Sequence, residues 1–174
     1  DTILNDADLI VAHNAGFDRA FVDRYSSVSP KKIWACSVND ISWLEKGFTS
    51  SKQELLCYWH GFYFDAHRAM NDVDALIHLL THRSYEDKRP LLELIENSNI
   101  PEYVIFAEHF KYDPVKKDIL KCNKYKWNPG DKIWFKKVNL DDLENEKDWL
   151  TATIYDQIFK GRVEEINPND KYKL

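Results

Sequence analysis

Apolar residues recur along this chain with two spacings. Leu9-Ile10-Val11-Ala12 is an unbroken apolar run after Ala7-Asp8. A run this short, with no polar alternation, predicts a strand covered on both faces, as in a parallel sheet. Phe17, Phe21 and Val22 follow at helical spacing, with Asn14 placed as N-cap. Ile33 to Cys36 reads as a second strand, and Val38 to Leu44 as a helix. Gly47 to Ser51 is a polar break, with Ser51 as cap for a helix from Lys52 to Trp59, which Gly61 ends. Ala69, Met70, Val73, Leu76, Ile77 and Leu80 mark an amphipathic helix. Tyr85 to Arg89 is a charged loop, and Leu91, Leu92, Leu94 and Ile95 predict one more helix.

Ser98-Asn99-Ile100-Pro101 is the preferred boundary between two parts, 1–99 and 100–174. Beyond it, Tyr103 to Phe106 reads as a strand and Pro114, a good first-turn proline, opens a helix to Cys122. Tyr125-Lys126-Trp127 and Ile133-Trp134-Phe135 flank Asn128-Pro129-Gly130-Asp131, the pattern of a hairpin. Leu140, Leu143, Leu150, Ile154 and Ile158 predict a long helix capped by Asn139. The expected class is α/β for the first part, with a small α+β module after it.

Composition narrows the setting. A hydrophobic content of 44% over 174 residues is enough for a real core. No apolar run approaches the roughly 20 residues of a membrane span, and no signal-peptide pattern is present. Cys36, Cys57 and Cys122 are odd in number and far apart, which points to a reducing, cytoplasmic setting. Of the net charge of −5, residues 1–100 carry all of it, while Lys111 to Lys137 holds nine lysines against three aspartates. An acidic first part is compatible with a nucleic-acid substrate, since metal-dependent nucleases cluster carboxylates around their cations.

Two acidic positions sit where a strand or loop turns into a helix. Asp18 falls in the first turn after the Leu9–Ala12 strand, where ligands gather in open α/β sheets. An acidic residue there also favours the helix N-terminus electrostatically, so position alone leaves both roles open. Asp72 falls on the first turns of the Ala69 helix, five residues after His67.

Val11-Ala12-His13-Asn14-Ala15-Gly16-Phe17-Asp18, followed some fifty residues later by His67-Arg68-Ala69-x-x-Asp72, resembles the second and third motifs of the DEDDh 3′–5′ exonucleases. The proofreading epsilon subunit of bacterial DNA polymerase III belongs to that family. The resemblance spans roughly residues 1–85 and implies a ribonuclease-H-like fold. It also implies hydrolysis of phosphodiester bonds from a 3′ end with two divalent cations, Mg²⁺ or Mn²⁺. By the same resemblance Asp18 and Asp72 are metal ligands, His67 is the catalytic general base, and Asn14 contacts the nucleic acid. The chemistry agrees with these residue types: hard cations take carboxylate oxygens, and an imidazole can accept a proton from water at neutral pH.

The sequence departs from the family in its first motif, Asp-x-Glu on an apolar strand. Asp142-Leu143-Glu144 has the spacing but opens a polar helix. The missing motif is expected upstream of Asp1, making this chain an incomplete fragment that alone binds metal poorly and does not turn over. The alternative is a non-catalytic adaptor, binding nucleic acid or a DNA polymerase subunit through an exonuclease-like shell. In the second part, Lys126, Trp127 and Trp134 are candidates for binding single-stranded nucleic acid, with DNA the expected form. A half-buried hairpin with its aromatics on a helix and its lysines in water fits the same pattern. His78 and His82, four apart on one helix, could chelate a metal or simply lie satisfied on one face.

Overall fold

The computed structural model describes residues 1–85 and 89–173. The chain divides into two compact units. The first is Asp1–Ile100 together with the chain from Pro168, and the second is Pro101–Asn167. Both mix helices with a sheet, as an α/β class requires.

In the first unit, helix α1 (Thr2–Asp6) leads into strand β1 (Leu9–Ala12), and α2 (Ala15–Tyr25) follows. Strand β2 (Ile33–Cys36) pairs with β1 in parallel, from Leu9 opposite Ile33 to Ala12 opposite Cys36. Helices α3 (Gln53–Trp59), α4 (Ala69–Leu80) and α5 (Pro90–Ser98) complete the unit. Side chains alternate across β2, so Ala35 packs to one side with Leu56, Leu76, Leu79, Leu80 and Leu94. Trp34 and Cys36 pack to the other with Ala15 and Tyr172. Each fully buried leucine contributes about 1.5–3 kcal/mol relative to exposure.

Several expectations are corrected here. Residues 38–44 form turns, not a helix. Their polar side chains capture the backbone instead: Asp40 accepts the Cys36 N–H at 2.7 Å, and the Trp43 indole donates to the Ser37 carbonyl at 2.6 Å. Ser51 does not cap α3, whose N-cap is Lys52. The stripe of Phe17 and Phe21 is not buried; their rings are 63% and 50% exposed and lie against each other. On α4 the buried residues are Ala75, Leu76, Leu79 and Leu80, while Met70, Val73 and Ile77 face outward. The Tyr85–Arg89 loop lies partly outside the described residues.

The segment from Pro168, read from the sequence as part of the module, packs with the first unit. Arg19, fully buried on α2, donates to the carbonyls of Lys171 at 2.6 Å and Asn169 at 2.8 Å. Lys171 is buried too, with its ammonium 3.3 Å from Asp40 and donating to the Asn97 carbonyl at 2.8 Å.

The second unit runs β3 (Glu102–Ala107), α6 (Pro114–Cys122), β4 (Lys126–Asn128), β5 (Ile133–Val138), α7 (Leu140–Thr153) and β6 (Arg162–Ile166). Its antiparallel sheet has the order β4-β5-β3-β6. This is the split βαβ arrangement, in which the two outer strands come from different halves. Asp113 caps α6 by accepting the Val115 N–H, and Asn128 closes the hairpin by accepting the Gly130 N–H at 2.9 Å. The last helix stops at Thr153, short of Ile158, which is exposed. Strand β6 carries Val163 and Ile166 among charged residues, a pattern too weakly apolar to announce a strand.

No helix among the described residues is long and apolar enough to cross a membrane.

Candidate functional site

The carboxyl end of β1 sets the geometry of the site. After Ala12 the chain must turn sharply into α2, and Asn14 makes that turn with φ 67°, in the left-handed region that asparagine tolerates. Asn14 is the N-cap residue of α2, but its side chain makes no cap hydrogen bond. Asp18 follows in the first helical turn. Opposite, His67 also takes the left-handed region, with φ 66°, and its backbone N–H donates to Asp72 Oδ1 at 3.2 Å. That bond ties the loop to the first turn of α4. Gln53, from α3, donates to the Asp72 carbonyl at 2.7 Å and fixes the two helices to each other.

These residues converge. Asn14, Asp18, His67 and Asp72 all line one cavity of about 820 Å³, with Ile10, Val11 and Ala12 also on its wall. Burial pushes the Asp18 carboxyl above its usual range, and no ion pair relieves it among the described residues. The His67 side chain is 89% exposed, and its Nε2 lies 4.0 Å from Glu54 Oε1.

Two residues of the site had escaped the sequence reading. His13 lines the cavity at the end of β1, its Nδ1 2.8 Å from the Ser37 hydroxyl. Burial holds its imidazole below the usual range, against the pull of Glu54 and Asp72. Glu54 stands in the first turn of α3 and faces the same cavity. Its signal was its place in a helix's first turn after a polar break, which many purely structural carboxylates share. Trp34, also on the wall, is buried with an indole N–H that has no acceptor among the described residues.

Could these side chains hold a divalent cation? Asp18 and Asp72 offer hard oxygen ligands, and Asp18 is a carboxylate in a partly dry site without a protein cation, which a bound cation would stabilise. The set fits in part: among the described residues no group of three or more His, Cys, Asp or Glu side chains is close enough to hold a metal. Strands β1 and β2 carry no carboxylate.

The other candidates separate. In the second unit Trp127 is 46% exposed, but Trp134 is buried in the core, with the two rings 5.3 Å apart. Trp134 therefore does not offer a free stacking face, because its position opposite Ala107 points it toward the helices. Lys126, its neighbour in the hairpin, faces water. His78 and His82 have ring centres 5.4 Å apart, yet His82 Nδ1 is engaged by Ser84 and His78 meets the Phe62 ring edge-on.

Scans against protein-family models, curated proteins and solved structures each return no match.

Proposed function

We propose that the first unit is the carboxyl-terminal part of a metal-dependent 3′–5′ exonuclease of the DEDDh type, with a ribonuclease-H-like sheet. The observation that carries this reading is the convergence of Asp18, His67 and Asp72, from two separate helices, on one cavity at the carboxyl end of a parallel strand. In this reading Asp18 and Asp72 hold Mg²⁺ or Mn²⁺. When bound, such cations stabilise charge on the phosphate and make water a better nucleophile. His67 takes the proton of the attacking water at Nε2, and the bond from phosphorus to the 3′ oxygen breaks. Asn14 positions the substrate strand.

An open sheet edge supports the same reading. Among the described residues β1 pairs with β2 alone, and two strands are fewer than a stable parallel sheet uses. Phe17, Phe21, Met70 and Val73 are left exposed on the neighbouring helices. We propose that further strands, bearing the Asp-x-Glu pair, add along β1. The 174 residues alone then bind cations weakly and do not turn over.

Titration with Mn²⁺, followed by NMR line broadening, tests the reading. Broadening should centre on residues 13–18 and 67–72, and Asp18→Asn or Asp72→Asn should abolish it. Uniform or absent broadening would count against a cation site. The second reading is a non-catalytic adaptor with an exonuclease-like shell. That reading gains if a longer form of the chain, with an added carboxylate-bearing strand, binds single strands but releases no nucleotide.

A further inference from the structure

The sheet of the second unit has one face turned to its helices and one face without them. Ile105, Ala107, Trp134 and Val138 point inward, into a core shared with Leu120 of α6 and with Leu143 and Leu150 of α7. Because strand side chains alternate, Phe106 and Phe135 point the other way. The pairing places them directly opposite each other on the two central strands, with ring centres 6.5 Å apart. The same register puts Lys126 of β4 beside Phe135 and Arg162 of β6 beside Phe106. A single line across all four strands thus reads lysine, phenylalanine, phenylalanine, arginine.

Each member of that line is suited to the same kind of ligand. Both rings are partly exposed, and both cations are exposed. The Arg162 guanidinium lies over the Phe106 ring, 4.0 Å from its centre, so that the planar cation stacked on Phe106 offers the outer stacking plane there. Gly161 lets β6 begin close against β3, since a Cβ there would come within 2.4 Å of the Phe106 carbonyl oxygen. Lys126 has no carboxylate partner among the described residues, whereas Arg162 is shared between Glu108 and Glu164. On the neighbouring positions of this face Lys137 pairs with Glu102. Exposed pairs of this kind are worth little and exchange readily for phosphate. The acidic stretch of α7 lies on the opposite side, where Glu146 meets Lys136 and Tyr125 beneath the sheet.

We infer that this face is a platform for single-stranded nucleic acid, the Phe135 ring and the Arg162 guanidinium stacked on Phe106 each taking a base while Lys126 takes a flanking phosphate. Antiparallel four-stranded sheets with aromatics on their central strands bind single strands in this manner, and the stacking tolerates any base. The inference is independent of the exonuclease reading, which concerns other residues in the other unit.

The test uses the whole chain with fluorescent oligothymidylate and oligouridylate of about 12 nucleotides. Anisotropy is measured in EDTA, so that cation-dependent binding is removed. Wild type should bind both, since the stacking tolerates either base. Phe106→Leu with Phe135→Leu keeps the apolar volume and should weaken binding by about tenfold or more, since stacking is lost at two bases. Lys126→Glu with Arg162→Glu, at exposed positions, should weaken binding by about a hundredfold or more and leave the residual affinity with a shallower salt dependence than wild type. If the leucine variant loses its circular dichroism signature, the charge-reversal variant carries the test. No saturable binding by wild type, unchanged binding by the charge-reversal variant, or tighter binding of duplex would overturn the proposal.

Discussion

At the scale of single residues, the site is shaped by two ionisable groups held against their preference. His13 is favoured neutral in the fold, because burial lowers its pKa from the ordinary 6.5. A histidine with a lowered pKa contributes stability that is complete above 6.5 and is lost as pH falls through the folded value. His13→Gln should therefore unfold with less acid sensitivity in that window, as followed by thermal melts from neutral pH downward. Asp18 works with the opposite sign. Its pKa is raised, so the fold is relatively favoured at low pH and penalised once the carboxyl ionises. Asp18→Asn should raise the midpoint of thermal unfolding at neutral pH, by less than about 1 kcal/mol because water reaches the group. The gain should fade as pH falls below the carboxylate range. A functional residue that costs stability in this way is common where a ligand is expected to supply the missing charge.

At the scale of elements, periodicity and punctuation carried most of what could be read beforehand. The β1 run, the proline at the start of α6 and the Asn-Pro-Gly-Asp turn each act locally, so the sequence alone located them. The turns at 38–44 escaped because their hydrogen bonds come from Asp40, Trp43 and the distant Glu93, which accepts the Ser42 N–H at 2.6 Å. Helical spacing of apolar residues says nothing about such long-range partners. In the same way the Phe17 and Phe21 stripe was legible as a helix, but not as an exposed one. The candidate site was legible as two acidic helix starts and a histidine, while His13 and Glu54 depend on how α3 approaches β1. Gly161 offers an element-scale test. Gly161→Ala places a methyl against the Phe106 backbone, which cannot retreat without loosening β6 from β3. Destabilisation of about 1–3 kcal/mol is expected, measured by urea unfolding. Hydrogen exchange should quicken first at residues 162–166.

At the scale of the whole molecule, the second unit is an insertion into the first. The chain leaves the first unit at Ile100 and rejoins it at Pro168. Sequence order could not announce this, since the returning segment is short, polar and held by two buried cations. Arg19 pairs with Asp23 at 3.2 Å and donates to carbonyls of the returning segment. Arg19→Ala removes the cation from Asp23 and the donors from those carbonyls at once. A loss on the order of 3 kcal/mol is expected in a chemical denaturation curve. Ending the chain after Asn167 should have a comparable effect on residues 1–100, read from their amide exchange.

That re-entry also bears on how the protein is made. Residues 101–167 emerge from the ribosome before the segment that seals residues 1–100, so the earlier-synthesised unit waits, with Arg19 and Asp40 lacking their contacts to that segment, until the later one is finished. Closing a loop of that span has an entropic cost that rises only slowly with its length, and a prefolded insert shortens the distance left to span. Synthesis of the second unit therefore gates maturation of the first, and lesions in residues 101–167 should first be noticed as delayed protection of residues 1–100.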